Sequence, residues 1–429
     1  MNFATLPNLV ALAILVAVFW AISRKAAGEQ VRLWLVGWAL VLVHFAASFP
    51  VFSGVALSRL ATAVSLDSLI LAGVAFLISV SFDVSRSHWP WISSLTAAIA
   101  FPAVAYTNGL IWDIANPNYY YFLTVIGALA PLLVFLRCHE HGKFYTAGSI
   151  AATLAAAVLL VWKIAHGEPE FGITLILASL NFSIAVLYWR HRGHISAGVL
   201  TAVAGFALWG AVFPSALILC VLEPTMKVES EVWNIPKYLV AVGMILTLLE
   251  DQIRKSTYLA YHDELTDLPN RRLLEDRLEQ ALAQTRRIGG KVAVLVLDLD
   301  HFKEVNDTFG HRVGDLALRE VVARLARRVR SSDTLARSGG DEFTVVSYVP
   351  SREAADKLSS SLEAALLEPI RLEGAEVRIG VSIGSALYPD AGSNADQICA
   401  AADRAMYAAK KAGRGSEPAM VLRQPTTSV

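Results

Sequence analysis

Residues 292–300 have the sequence VAVLVLDLD, and this stretch decides the fold of the C-terminal part of the chain. Its six leading apolar residues predict a strand that is buried on both faces, as in the centre of a sheet. The apolar run stops at Asp298 and Asp300, which the alternation of side chains along a strand places on one face. Because open sheets usually bind ligands at such an edge, we expect a binding site there.

The chemistry of these aspartates points to a metal. Carboxylates are hard oxygen ligands, and Mg²⁺ typically takes one or two of them together with substrate phosphates. Asp298 is therefore a candidate metal ligand. Aspartates at strand ends also cap turns, and the strand by itself favours neither interpretation.

A second acidic pair lies in residues 337–343, which read RSGGDEF. Gly339 and Gly340 stand between strand-like runs and predict a tight hairpin, because glycine accepts positive φ without steric cost. Asp341 and Glu342 then lie at the tip, pointing to opposite sides of the ribbon. If this hairpin pairs beside the 292–298 strand, Asp341 meets Asp298 across a shared metal; a glycine-acid hairpin alone is a weak signal.

Helical and strand patterns alternate around these two motifs. They predict an α/β or α+β domain of roughly 170 residues, enough for one core. We expect helices over about 271–287, 313–330, 352–367 and 395–412, a hairpin across 334–348, and strands at 292–298 and 377–387.

The first 251 residues belong to a different class. The whole chain of 429 residues is 55% hydrophobic and 17% charged with a mean hydropathy of +0.49, which excludes an ordinary soluble protein. Its formal charge is +0, so no global field indicates nucleic acid as a partner. Cys138, Cys220 and Cys399 are widely separated and exclude a disulfide framework.

Nine apolar runs are long enough to cross a hydrocarbon core about 30 Å thick. They predict an all-α polytopic membrane domain, with membrane lipid as its solvent. The run that contains Pro214 is compatible with a tilted, kinked or partly re-entrant segment. The runs lie near residues 6–23, 33–53, 60–82, 89–107, 119–137, 145–163, 171–189, 196–222 and 235–251.

The distribution of basic residues predicts the orientation. No basic residue precedes the first apolar run and Arg24 and Lys25 follow it, which favours a retained anchor with its N-terminus outside. With nine spans, eight Lys and Arg residues fall on the cytoplasmic side and four on the other. Residues after 251 are therefore expected in the cytoplasm.

Three polar residues within the predicted spans, His44, Asp67 and Asn181, are candidates for sensing a ligand or ion. A structural role is the stronger interpretation: His44 suits a hydrogen bond between helices, and Asp67 lies close enough to the end of a span to snorkel or to pair with a neighbouring helix.

The last span continues towards the C-terminal domain as a predicted helix. Residues spaced by three and four form a narrow seam on it, which suits a dimeric stalk. An uninterrupted connector without a coiled coil fits the short seam equally well. The seam consists of Leu246, Leu249, Ile253, Ser256 and Ala260.

Five motifs in the C-terminal part stand in the order and spacing of one family. The motifs are Asp263–Arg271, Asp298–Lys303 with Asn306-Asp307, Gly310-His311 with Gly314-Asp315, the Gly339–Phe343 turn, and Ala409-Lys410 with Gly413-Arg414. With these motifs the chain resembles, over about residues 257–415, the GGDEF family of diguanylate cyclases.

The resemblance implies a fold and an activity. The fold is a palm-like, ferredoxin-type core, and the reaction joins two GTP molecules into cyclic di-GMP and pyrophosphate, each subunit of a homodimer presenting one GTP. It also implies a bacterial inner membrane protein. The expected parts are a membrane domain at 1–251, a helical connector at 252–262, the GGDEF domain at 263–415 and a disordered tail at 416–429, with no phosphodiesterase domain.

The resemblance also implies the roles of individual residues. Asp298, Asp341 and the Leu299 carbonyl would bind Mg²⁺, with Mn²⁺ as a substitute, and Asp341 and Glu342 would be catalytic. Asn306 and Asp315 would read guanine. The remaining substrate contacts would come from Phe302, Lys303, Gly339, Gly340, Lys410 and Arg414.

Arg330 and Asp333 resemble the RxxD site at which cyclic di-GMP inhibits its own synthesis. The same four residues can also be an ordinary cap at the end of a helix. Two other functions stay open: a catalytically silent receptor that binds cyclic di-GMP through this site, and a transporter or channel with a regulatory cytoplasmic domain.

Overall fold

The structure is a computed structural model. It divides into two compact units, Met1–Asp251 and Gln252–Val429. The described residues are 6–25, 28–49, 54–81, 89–137, 143–192, 195–222, 230–372 and 375–412. The predicted tail and Arg414 lie outside them.

The described part of the first unit is helical and contains no strand. Helices suit a lipid environment because they satisfy every backbone hydrogen bond within one segment. Each of the nine apolar runs overlaps one helix, and Pro214 lies inside a continuous helix. The helices are α1 Leu6–Lys25, α2 Glu29–Ser48, α3 Val55–Ser81, α4 Trp89–Ile111, α5 Pro117–Arg137, α6 Lys143–Ala165, α7 Phe171–His191, α8 Ala197–Leu222 and α9 Ser230–Tyr261.

Five helices within the described residues are both long and apolar enough to cross a membrane. They support a membrane-spanning N-terminal region. The five segments are Leu6–Arg24, Glu29–Ser48, Val55–Val80, Phe171–Arg190 and Ala197–Ala216.

The polar residues in these helices bond to neighbouring helical groups. Nδ1 of His44 lies 2.9 Å from the Ser65 carbonyl oxygen, and Asp67 accepts from Nδ2 of Asn108 at 2.9 Å. Nδ2 of Asn181 donates to the Leu177 carbonyl within its own helix. The contacts of His44 and Asp67 therefore agree with pairing between helices, whereas the Asn181 bond is local to its helix.

The second unit combines helices and strands. Its elements are α10 Arg271–Ile288, β1 Lys291–Asp300, α11 Phe302–Phe309, α12 His311–Ala326, β2 Thr334–Gly339, β3 Glu342–Val349, α13 Arg352–Leu366, β4 Ile370–Leu372, β5 Ala375–Val377, β6 Gly380–Tyr388 and α14 Ala395–Ala412. Four strands form a sheet in the order β2-β3-β1-β6, in which β1 pairs antiparallel with both β3 and β6. This strand order, with helices between β1 and β2 and between β3 and β6, is that of a ferredoxin-type core.

The central strand β1 is buried on both faces, as its sequence predicts. Ala293, Leu295 and Leu297 pack in one hydrophobic cluster with α12 and α13. Val292, Val294 and Val296 pack in another with α10 and α14. The strand therefore fixes the edge at which Asp298 emerges.

The predicted helix at 313–330 is wrong in its bounds. The segment after β1 instead forms two helices, α11 and α12, separated at Gly310. Gly310 has φ 79° and ψ 159°, which no helix continues. The second helix ends at Ala326, so Arg330 and Asp333 lie in the turn before β2.

The predicted strand at 377–387 is also divided. Its beginning belongs to β5, which pairs with β4 in a separate two-stranded sheet, while β6 starts at Gly380. The apolar alternation continues through the break, because Val377 at the end of β5 and Ile379 between the two strands are both buried.

Candidate active site

The ends of β1 and β3 bring the acidic motifs together. The register places Asp298 opposite Glu342, and the Leu299 amide donates to the Asp341 carbonyl oxygen at 3.2 Å. The predicted pairing of the hairpin with the 292–298 strand is therefore confirmed. Carboxylates from two separate motifs therefore lie together where β1 ends beside the turn between β2 and β3. We call this end of the sheet, with Asp298, Asp341 and Glu342, the acidic edge.

The connection between β2 and β3 is a tight turn at Gly340 and Asp341. Gly340 has φ 23°, at the margin of the region that favours glycine. The Arg337 side chain stabilises the turn, because its Nε and Nη2 atoms both donate to the Gly340 carbonyl oxygen, at 2.9 and 2.6 Å.

Arg337 also ties the turn to the loop that precedes α10. Its Nη1 donates to Oδ1 of Asp263 at 2.8 Å. The same carboxylate accepts from the Thr266 amide and hydroxyl at 2.9 and 2.6 Å. Although burial raises the pKa of Asp263, the bonds from Thr266 and Arg337 outweigh it and lower that pKa.

This tether joins two residues to which the sequence assigned no role. Asp263 begins the first recognised motif and Arg337 lies two residues before the Gly339–Phe343 turn, but 74 positions separate them. Their opposite charges were the available signal, and a sequence offers many such pairs.

The two aspartates at the end of β1 have different partners. Ser382 on β6 donates to Oδ1 of Asp300 at 2.7 Å, which ties that carboxylate into the sheet. Asp298 is only 8% exposed and accepts from Nζ of Lys410 at 2.5 Å. This bond raises the pKa of Lys410 and keeps the ammonium charged beside the acids.

Glu342 lies in the negative field of two neighbouring aspartates. Partial desolvation is the largest contribution that raises its pKa, and repulsion from Asp298 and Asp341 raises this pKa further. Carboxylates that disfavour one another's charge form a place where a cation is stabilised.

The oxygen atoms at this edge are suitable ligands for Mg²⁺ or Mn²⁺. Within the described ranges no three His, Cys, Asp or Glu side chains form a ready cage for a metal. Mg²⁺ does not require such a cage, because it commonly keeps several waters and combines one or two carboxylates with phosphate oxygens. Asp298, Asp341 and the Leu299 carbonyl supply oxygens of this kind.

Four of the residues expected to contact the nucleotide lie on the two helices after β1. Phe302 begins α11 and is buried, whereas Lys303 beside it is exposed. Asn306 lies one turn later on α11, and Asp315 is exposed in the first part of α12. The corner at Gly310 thus joins the elements that carry both.

Arg330 and Asp333 form a turn at the opposite end of β2 from Gly340. Oδ2 of Asp333 accepts from the Arg330 amide and Oδ1 accepts from the Ser347 hydroxyl, both at 2.9 Å. The Arg330 side chain is exposed. The helix-cap interpretation is wrong here, because α12 ends four residues earlier.

Comparisons with known proteins identify a family for the C-terminal part of the chain. Residues 260–416 match the family described as diguanylate cyclase, GGDEF domain. The chain is 33% identical over 413 residues to the bifunctional diguanylate cyclase/cyclic di-GMP phosphodiesterase MucR of Pseudomonas aeruginosa, covering 91% of this chain and 56% of the relative. It is 39% identical over 180 residues to the diguanylate cyclase TpbB of the same species, covering 41% of each chain.

A solved structure of a sensory box/GGDEF family protein from Caulobacter crescentus is 42% identical, with a TM-score of 0.35; the match covers 36% of this chain and 99% of that one. The chain spans about half the length of the curated relatives named above.

Proposed function

Residues 260–416 form a GGDEF domain related to diguanylate cyclases, and from this premise we propose that the protein is a membrane-bound diguanylate cyclase. The reaction consumes two GTP molecules. Each ribose 3′-oxygen bonds to the α-phosphorus of the other nucleotide, and the bond from that phosphorus to the β-phosphate oxygen breaks. One cyclic di-GMP, two pyrophosphates and two protons result.

One observation carries the proposal: acids from two distant motifs converge with a lysine at one sheet edge. Asp298 stands opposite Glu342, the Asp341 carbonyl bonds to Leu299, and Lys410 reaches Asp298. Phosphoryl transfer depends mainly on in-line positioning and neutralisation of charge, and this edge offers groups for both.

The acids take the metal and the proton. Asp298, Asp341 and the Leu299 carbonyl would hold Mg²⁺ or Mn²⁺, which when bound neutralises charge that develops on phosphate oxygens. Asp341 accepts the proton of the attacking 3′-hydroxyl. Glu342 adds a neighbouring carboxylate to the metal side of the site.

Basic and backbone groups bind the phosphates. Lys303 is exposed beside the site, and the Lys410 ammonium can turn from Asp298 to a phosphate oxygen, since 41% of its side chain is exposed. Arg414 is assigned the same role from its motif, with Phe302 and the Gly339-Gly340 backbone approaching the phosphates.

Asn306 and Asp315 read the base. An amide and a carboxylate together satisfy O6, N1–H and N2–H of guanine, so GTP is the substrate on both subunits. A homodimer is required because each GTP must face the other.

The membrane region places the reaction at a lipid surface. Among the described residues five helices are long and apolar enough to span a bilayer, and the loop charges favour a cytoplasmic GGDEF domain, on the side where GTP is available. The membrane region is the proposed sensor that regulates the cyclase.

Arg330 and Asp333 supply feedback. Asp333 is held in place by the Arg330 amide and Ser347, while the Arg330 guanidinium faces solvent and can meet the guanine and phosphate of cyclic di-GMP. The same geometry favours one alternative, a silent receptor that binds cyclic di-GMP without making it.

Turnover separates these two functions. The full-length protein in lipid nanodiscs, given GTP and Mg²⁺, should form one cyclic di-GMP for two pyrophosphates, measured by chromatography with mass detection. Arg330→Ala should raise the product concentration that halves the rate by at least about tenfold, since a charged hydrogen bond is lost. Binding of cyclic di-GMP by a dimeric protein without pyrophosphate release would refute the cyclase and support the receptor.

A further inference from the structure

The corner between α11 and α12 contains a glycine with an unusual environment. Gly314 is buried in the first part of α12. Its backbone is helical, unlike Gly310, whose φ of 79° favours glycine. A helix is less stable with glycine than with alanine at an interior position. The lack of space for a Cβ atom, and not the backbone conformation, therefore accounts for the glycine at position 314.

The Asn306 side chain fills the space beside Gly314. A Cβ atom at position 314 would lie 1.9 Å from Oδ1 of Asn306 and 3.0 Å from its Cγ. The next atom, Cζ of Phe302, would lie at 3.4 Å, an ordinary contact. The side-chain amide of Asn306 is therefore the group that alanine at position 314 would displace.

Asn306 can yield without disturbing the fold. The conflict involves the far end of its side chain, whereas its backbone carbonyl accepts from the Gly310 amide at 2.8 Å and anchors the corner. Alanine at position 314 would thus push the amide out of its present position and leave α11 and α12 in place.

We propose that Gly314 is a positioning residue for base recognition. By lacking a Cβ atom it lets Asn306 hold its amide where guanine binds, although Gly314 itself does not touch the base. The inference rests on the proposed function, in which Asn306 contacts guanine.

A double-mutant cycle tests this role. Binding of 3′-deoxy-GTP with Mg²⁺ to the full-length protein in nanodiscs is measured by calorimetry, because this nucleotide lacks the attacking hydroxyl and does not turn over. Asn306→Ala and Gly314→Ala should each weaken binding by roughly 3- to 10-fold, the range for one hydrogen bond. The double variant should bind within about twofold of Asn306→Ala alone, because no amide remains to be displaced.

Each result has a distinct meaning. Wild-type affinity in Gly314→Ala, or independent losses that multiply in the double variant, would overturn the role of Gly314 and leave the cyclase proposal intact. Wild-type affinity in Asn306→Ala would remove the proposed guanine contact, and the role of Gly314 with it.

Thermal unfolding of the same variants excludes a general loss of structure. The double variant should have a Tm at least equal to that of Asn306→Ala, since alanine favours the helix once the amide is gone. A lower Tm would mean that position 314 is required for packing, which contradicts the proposal.

Discussion

At the scale of single residues, Asp298 has a partner that a bound metal would have to replace. Nζ of Lys410 lies 2.5 Å from its Oδ1. A lysine and a divalent cation cannot both compensate the same carboxylate at full strength, because the two cations repel each other. Lys410 therefore stabilises the acidic edge while no metal is bound.

Lys410→Met should reveal this competition, since methionine keeps much of the side-chain length without the charge. We expect Mn²⁺ alone to bind roughly 3- to 10-fold more tightly, measured by the loss of the free-ion electron paramagnetic resonance signal, and GTP about 10-fold more weakly. Lys411→Met is the matched control, because Nζ of Lys411 lies over the Tyr407 ring at 4.5 Å. Unchanged or weaker Mn²⁺ binding in Lys410→Met would refute the competition.

Glu342 gives the site a dependence on pH. Burial and the neighbouring aspartates raise its pKa above the usual 4.5. The folded state thus holds this proton to higher pH than the unfolded chain does, so stability is lost as the pH rises through the interval between the two pKa values.

Glu342→Gln removes this loss. In metal-free protein above that interval the variant should have a Tm about 1–3 °C higher than the wild type, a modest gain because the side chain is exposed. The difference should vanish as the pH falls well below 4.5, where the carboxyl group is protonated in both the folded and the unfolded state. A lower Tm for the variant at pH 8, followed by calorimetry, would contradict the assigned repulsion.

The sequence predicted correctly that Asp298 and the turn with Asp341 and Glu342 lie together, because a hairpin beside a buried strand brings its tip to the end of that strand. It did not predict their partners. Lys410 and Asp298 are 112 positions apart, and Ser382 and Asp300 are 82 apart. Such contacts depend on how α14 and β6 pack against β1, which no local pattern contains.

At the scale of elements, the turn between β2 and β3 is held by a neighbouring loop. Arg337 joins the Gly340 carbonyl to Asp263, and its own amide donates to the Pro269 carbonyl at 2.9 Å. The turn that carries Asp341 thus has a fixed position relative to the start of α10.

Asp263→Asn should loosen this turn, because the amide cannot replace the charge that pairs with Arg337. We expect kcat to fall roughly 10- to 100-fold, since a misplaced catalytic group costs about this much, while the affinity for 3′-deoxy-GTP changes less than about threefold. Glu275→Gln breaks the exposed pair with Arg271 and should change neither value appreciably. Equal kcat values for the Asp263 variant and the wild type would show that the tether has no catalytic role.

The contact between β6 and α14 is unusually close at Gly384. A Cβ atom there would lie 2.0 Å from the Met406 amide nitrogen and 2.3 Å from the Ala402 carbonyl oxygen, both backbone atoms. Gly384→Ala should therefore separate α14 from the sheet and lower stability by about 1–3 kcal/mol, seen in denaturant titration. A variant as stable as the wild type would show that the helix can shift without loss.

The elements themselves were largely predictable, since strong periodicity identified α10, β1, α13 and α14 close to their bounds. The region after β1 was not. Gly310 separates α11 from α12. The residues on both sides of this glycine favour a helix, so the sequence contains no stronger sign of the division.

At the scale of the whole molecule, composition separated a lipid-solvated part from a charged part. The structure has corresponding units, with the boundary at Asp251 inside α9. The exposed seam residues Leu249 and Ile253 leave both a dimeric stalk and a plain connector as predictions. Orientation and stimulus depend on the membrane and on ligands, which the fold of one chain does not determine.

The most direct test of the cyclase is the rate at which the full-length protein in nanodiscs converts GTP and Mg²⁺ into cyclic di-GMP, compared with Asp341→Asn. This substitution keeps the size of the side chain. It removes the negative charge that would bind the metal and the carboxylate that is proposed to act as the base. We predict steady cyclic di-GMP formation by the wild type and a loss of at least about 100-fold in the variant, with 3′-deoxy-GTP still bound. No product from the wild type, or equal rates in the two proteins, would contradict the account.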